Sequence, residues 1–199
     1  MSRISSLLAA LMLSSAPVLA ADITVGFSPS GNALKTVLGA INGARTSIDL
    51  AAYSFTSSEI ADALVNAAER GVHVRIVADE KDNAHSKGSK VSVMQENHIP
   101  IRLDGHYAIM HNKYMVIDGT SIETGSFNYT ASADKRNAEN AIFIQGEPQL
   151  ATIYGQEFDR LWQESVPVSG TPTSSSPSYS YHHKTSTSRT LVRLLKGVL

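Results

Sequence analysis

Apolar and polar positions recur along this chain with two periods, and the change from one to the other marks out the elements. Asp22-Ile-Thr-Val-Gly-Phe27 alternates with period two and predicts a first strand. Ser28-Pro-Ser-Gly31 reads as a turn. Across residues 33–45, Leu34, Val37, Leu38 and Ile41 fall at helical spacing and predict an amphipathic helix. Residues 47–54 form a mostly apolar strand. Thr56-Ser-Ser-Glu59 has the form of a capping box, opening a helix that runs to about Arg70 and is closed by Gly71. Residues 72–78 predict a strand with apolar inner positions, as a helix-covered sheet requires. Residues 79–90 show no apolar period and predict a loop. A helix near 91–97 and a short strand over 99–103 follow, with Pro100 placing that strand at an edge or at its own start. Residues 110–117 and 120–124 are β runs joined by Asp118-Gly119, a strong hairpin signal. Residues 138–145 predict a further strand. Residues 148–164 predict a helix with Pro at its first position and a stripe of Leu150, Ile153, Tyr154, Phe158, Leu161 and Trp162. The alternation predicts an α/β domain, its mixed β-sheet flanked by helices on both faces.

The two ends of the chain follow other rules. Residues 1–20 pair Arg3 with an apolar run over 7–13 and a small-residue end at Val18-Leu19-Ala20, the pattern of a secretory signal peptide cleaved after Ala20. Such a peptide places the mature protein in the periplasm or outside the cell. A short membrane anchor is the alternative, although the run falls short of the roughly 20 residues a span needs. No other segment is long enough to span. The domain is therefore expected over residues 21–165. Beyond it, 13 of the 25 residues 166–190 are Ser or Thr, a composition that predicts a disordered, basic tail over 166–199. The basic apolar end at 191–199 suits a partner or membrane-surface contact, or simply frays.

Composition narrows the chemistry. The chain has no Cys, which excludes disulfides, a thiol nucleophile and thiolate-bound metals. Asp79-Glu80-x-Asp82 reads as a solvated loop, no metal-ligand spacing occurs elsewhere, and neither metal nor cofactor is expected. Residues 21–165 hold 12 basic and 18 acidic side chains. A net acidic body weighs against bulk electrostatic attraction to nucleic acid, so any basic surface must be local.

One stretch carries the chemistry. His111 and Lys113 lie two apart on an extended segment, so they share a face. Gly125-Ser126-Phe127-Asn128 adds a hydroxyl, an amide and a glycine that lets backbone approach a ligand. Imidazole, ammonium, hydroxyl and amide together suit a phosphate, with one nucleophile and several donors. Asp118, at the hairpin turn, is expected to be structural, bonding to backbone.

The spacing His-x-Lys-x4-Asp-x6-Gly-Ser-x-Asn resembles the signature of the phospholipase D superfamily. His111, Lys113, Asp118, Gly125, Ser126 and Asn128 fill it without departure. Residues 22–165 as a whole resemble the small single-motif bacterial endonucleases of that superfamily. The resemblance implies phosphodiester hydrolysis through a covalent phosphohistidine on His111, with Lys113, Ser126 and Asn128 holding phosphate oxygens. It implies that Glu139 accepts a hydrogen bond from the far nitrogen of His111. One motif supplies one His where the family mechanism uses two, so it further implies a homodimer with the site at the two-fold axis. His106 is an alternative acid within one chain. The expected substrate is DNA or RNA cut with little sequence preference, and phospholipid headgroups are the alternative. Lys135 and Arg136, with Lys81, Lys87 and Lys90, are candidates for substrate-backbone contacts, or ordinary surface cations.

Overall fold

A computed structural model describes residues 21–169. The expected signal segment and the apolar end at 191–199 lie outside the described residues. In chain order the elements are β1 (Asp22–Ser28), α1 (Asn32–Gly43), β2 (Ser47–Ala52), α2 (Ser58–Glu69) and β3 (His73–Asp79). Then come α3 (Glu80–Asn83), α4 (Val91–Glu96), β4 (Ile101–Asp104), β5 (Lys113–Ile117) and β6 (Ser121–Gly125). The domain closes with α5 (Ala131–Lys135), β7 (Glu139–Gln145), α6 (Pro148–Glu164) and β8 (Val166–Pro167).

All eight strands join one sheet in the order β1-β7-β6-β5-β2-β3-β4-β8. β2–β3 and β3–β4 are parallel and the remaining pairs antiparallel, so the sheet is mixed. One face is covered by α1, α2 and α4, where Val37, Ile41, Ile60, Leu64 and Met94 bury against Ile48, Leu50, Ile76 and Met115. On the other, Ala151, Phe158 and Leu161 of α6 bury against Ala51, Val77, Val116 and Ile122. A strand covered on both faces is mostly apolar on both, which is why β2 and β5 do not alternate cleanly; their exceptions are Asp49, paired with Arg75, and Lys113 at the start of β5. The hydrophobic effect, at about 25 cal/mol per Å² of apolar surface removed from water, acts on both layers. Arg75 of β3 is satisfied on the α6 side by Asp49 at 2.7 Å and Asp159 at 3.0 Å, beneath the rings of Phe158 and Trp162.

Four expected boundaries shift, each for a physical reason. The α2 cap is Ser57 rather than Thr56: its hydroxyl accepts from the Ile60 N–H at 3.3 Å and donates to Glu59. Residues 80–83 form a single helical turn, α3, because the Asp79 carboxylate caps it by accepting the Asp82 N–H at 2.9 Å. β5 begins at Lys113 rather than Met110, since its ladder with β2 runs out at the Ala52–Lys113 pair. The domain runs past residue 165: Val166 and Pro167 pair antiparallel with β4, and Pro167, having no N–H to give, sits on this edge strand.

Candidate active site

The site gathers where the end of β2, the approach to β5, the end of β6 and the start of β7 meet. His111 lies just before β5, not on it, and is exposed. Its ring packs against Tyr53 at 4.6 Å between centroids, and its side chain makes no hydrogen bond among the described residues. Tyr53 is held in turn by its N–H, which donates to the Asn112 carbonyl at 2.9 Å, and by its carbonyl, which accepts from Asn83 Nδ2 at 2.7 Å. Lys113 is nine-tenths buried. Its Nζ donates to the His111 carbonyl at 2.8 Å and lies 5.2 Å from the centre of the Tyr53 ring. Burial lowers the Lys113 pKa, opposed by the negative charge of Glu139. An ammonium has three donors, so a phosphate oxygen can take what the carbonyl leaves.

The second half of the site follows from β6. A Cβ on Gly125 would stand 2.2 Å from the Asn140 carbonyl oxygen, so only glycine lets β6 and β7 close here. Beyond it the side chains alternate. Phe127 and Tyr129 are buried in the core, while Ser126 and Asn128 turn the other way. The Ser126 N–H donates to Asn140 Oδ1 at 3.0 Å, and its hydroxyl accepts from the Asn140 N–H at 3.1 Å. The Asn128 amide makes no hydrogen bond among the described residues, and its Oδ1 is enclosed.

Glu139 departs from expectation. Its Oε2 accepts from Ser126 Oγ at 2.6 Å and its Oε1 from Asn137 Nδ2 at 2.9 Å; no bond to His111 forms among the described residues. The register explains this. Gly125 pairs with Ala141, which leaves Ser126 beside the first residues of β7, whereas His111 approaches on the far side of β6.

Asp118 bonds backbone, but that of residues 45–47 rather than its own turn. Asp118 and Gly119 both take positive φ, and the Asp118 carboxylate accepts from the N–H groups of Arg45, Thr46 and Ser47 and from the Thr46 hydroxyl, at 2.8–3.1 Å. Burial pushes its carboxyl up, yet these donors outweigh burial and hold it below the usual range. Lys135 and Arg136 end α5, a few residues past Asn128, and both are exposed; Lys135 makes a loose 4.0 Å pair with Glu59. Lys81 Nζ donates to the Ala108 carbonyl. His106 packs edge-on against Tyr107, not against His111.

An open groove of about 480 Å³ runs from His111, Lys113, Thr124 and Gly125 to Ile153 and Tyr154 of α6. Among the described residues no group of three acidic or imidazole side chains converges as a metal site, and no helix is long and apolar enough to cross a membrane. Tyr53 escapes sequence reasoning because a Tyr ending an apolar strand looks like core; only the chain's return at Asn112 brings it to His111.

Residues 37–162 match the family model described as cardiolipin synthase, PLD-like domain. The chain belongs to the phospholipase D superfamily. A protein of Rickettsia typhi named phospholipase D is 40% identical over 146 residues, covering 73% of this chain and 71% of its own. Among solved structures, Nuc from Salmonella typhimurium, a phospholipase D family member, superposes with a TM-score of 0.73 at 39% identity, over 75% of this chain and 99% of that one. NucT from Helicobacter pylori shares the fold, with a TM-score of 0.69 at 24% identity over 75% and 100%. Membership makes the chain a phosphodiesterase of this superfamily.

Proposed function

We propose that this phosphodiesterase is an exported, metal-independent endonuclease that cuts DNA or RNA with little sequence preference and works as a homodimer. The observation that carries the reading is the His111–Lys113 pair: an exposed imidazole and a buried ammonium with donors to spare line one open groove with Gly125, and the loop that follows Gly125 carries the Asn128 amide, unpartnered among the described residues. Neutral His111 attacks phosphorus, the P–N bond forms and the P–O bond to the leaving alcohol breaks. The leaving oxygen takes a proton from the partner's His111. Water then attacks phosphorus and gives its proton to that same imidazole, the P–N bond breaks, and a phosphomonoester leaves. Lys113 and Asn128 donate to the oxygens that gain charge in each transition state. Glu139 orients Ser126, whose hydroxyl must exchange its carboxylate partner for a phosphate oxygen to join them.

Two further observations support the assembly and the substrate. Ile23, Val25 and Phe27 of the edge strand β1 are 53%, 50% and 61% exposed. They point away from α1, which the intervening Gly26 touches, and Ser28, which ends this strand on the opposite face, pairs with Glu139. A second copy packed on this face would bring its own groove toward the first. Arg136 and Lys135, exposed just past the Asn128 loop, support this reading as cations for phosphates on either side of the scissile one.

The test is plasmid cleavage by residues 21–199 in excess EDTA, beside His111→Ala. Wild type is expected to nick and then linearise the plasmid, with the variant at least roughly a thousandfold slower. If folded wild type leaves plasmid intact, the nuclease reading fails. Phospholipid headgroup hydrolysis, favoured by the name of the Rickettsia typhi relative, is then tested on phosphatidylcholine vesicles.

A further inference from the structure

Beneath the Gly125–Asn128 loop lies a buried acid that the chemistry above does not use. Glu123 is 1% exposed, on the face of β6 that turns toward α1 and α2, with Met115 and Phe143 as its strand neighbours. Its one hydrogen-bond partner among the described residues is the Tyr129 hydroxyl, which donates to Oε2 at 2.9 Å. Tyr129 is itself fully buried. Its carbonyl accepts from the N–H groups of both Thr56 and Ser57 at 2.9 Å, and its backbone bridges to Phe55. Tyr129 is therefore tied at both ends: by its hydroxyl to β6, just before the loop, and by its backbone to the connection after β2, which carries Tyr53 against His111 and Lys113. Ser126 and Asn128 are the residues strung between these anchors.

We propose that Glu123 and Tyr129 are positioning residues for phosphodiester cleavage: their buried hydrogen bond fixes the Gly125–Asn128 loop, and so sets Ser126 and Asn128 at their distance from Lys113 and His111. Among the described residues no cation acts on this carboxyl, and such a group is an expensive way to fill a core position that Leu or Met would fill more simply. What Glu123 offers that an apolar residue does not is a directional bond, and that bond reaches the residue next to Asn128. Burial pushes its carboxyl up to about 8, so at neutral pH the pair is a neutral acid bonded to a phenol. This rests on reading Asn128 as a phosphate-holding residue, and the experiment separates the two.

Steady-state hydrolysis of bis(p-nitrophenyl) phosphate is measured at pH 7 for wild type, Glu123→Gln, Glu123→Leu, Tyr129→Phe and Asn128→Ala, each with its thermal midpoint. Glu123→Gln keeps an acceptor for the Tyr129 hydroxyl and is expected within twofold of wild type. Tyr129→Phe and Glu123→Leu lose the bond and are expected to lower kcat about tenfold with KM within twofold. Asn128→Ala is expected to lower kcat by more. Should Glu123→Leu not fold, Tyr129→Phe, which removes a single oxygen, decides alone. Folded Tyr129→Phe with wild-type kcat overturns the proposal while a slow Asn128→Ala leaves the site reading standing. Wild-type kcat in Asn128→Ala overturns the site reading instead. Glu123→Gln as slow as Glu123→Leu overturns the positioning proposal, since the retained acceptor would then count for nothing.

Discussion

The two ends of the β5–β6 hairpin come from one run of eighteen residues and are opposite in character. At the turn, Asp118 is saturated: three backbone N–H groups and a hydroxyl converge on one carboxylate. At the open end, among the described residues, His111 has only a ring neighbour, Lys113 spends one donor on a carbonyl, and the Asn128 amide has no partner. The difference separates what a motif does for the fold from what it does for a ligand. A group whose bonds are complete stabilises; a group whose bonds are incomplete is held ready, at a cost in stability that the closed end and the core offset.

The comparison breaks first at Lys113. Lys113→Met keeps the buried stem and removes the charge, so kcat on bis(p-nitrophenyl) phosphate is expected to fall roughly 10²–10³-fold. The thermal midpoint should hold or rise, because a desolvated ammonium is lost. A raised KM with kcat intact would mean that Lys113 binds the substrate and its transition state equally.

Glu123 gives the next largest effect, seen in stability rather than turnover. Its folded pKa is raised from an ordinary 4.5 to about 8 by burial, opposed by the Tyr129 bond. Its contribution is therefore fully present below about pH 4.5 and is lost as pH rises toward 8, because only the unfolded chain has ionised. Urea unfolding should show Glu123→Gln gaining on wild type by up to about 1.4 kcal/mol per pH unit across that window. Parallel profiles for the two proteins would mean that Glu123 is ionised in the fold.

Asp118→Asn should cost about 1–3 kcal/mol at pH 7, with kcat within twofold well below the midpoint. The sign at this end is reversed. A folded pKa held below 3.8 gives stability that is present above that value and lost as pH falls through the folded one, so the gap between wild type and variant should close in acid. Loss of kcat in a folded Asp118→Asn would show that the two ends are not independent. Smallest is Arg136→Ala: a two- to threefold rise in plasmid KM that shrinks with added salt, and no change on bis(p-nitrophenyl) phosphate.

Much of this was legible in the sequence, and what was not has a common cause. Period and punctuation place the major strands and helices to within a few residues, and the spacing from His111 to Asn128 brings the site residues to one end of the sheet. What local pattern cannot report is which neighbour a side chain chooses. Glu139 bonds Ser126 rather than His111 because strand register, set by Gly125 and Ala141, decides who stands beside it. Glu123 in Ile-Glu-Thr looks like an outward position of an alternating strand; in a sheet covered on both faces neither side is outward. The α3 turn is too short to show a period, and β8 exists only because β4 offers it an edge.

Gly125 contributes no donor, no charge and no nucleophile, yet no other residue can replace it without parting β6 from the Asn140 carbonyl. A descendant of this chain that abandoned catalysis would be free to change His111 and still assemble the same sheet. It would not be free at Gly125. Across a set of relatives, then, retention of the glycine is a record of ancestry in shape, and only the imidazole tells whether the chemistry is still being selected.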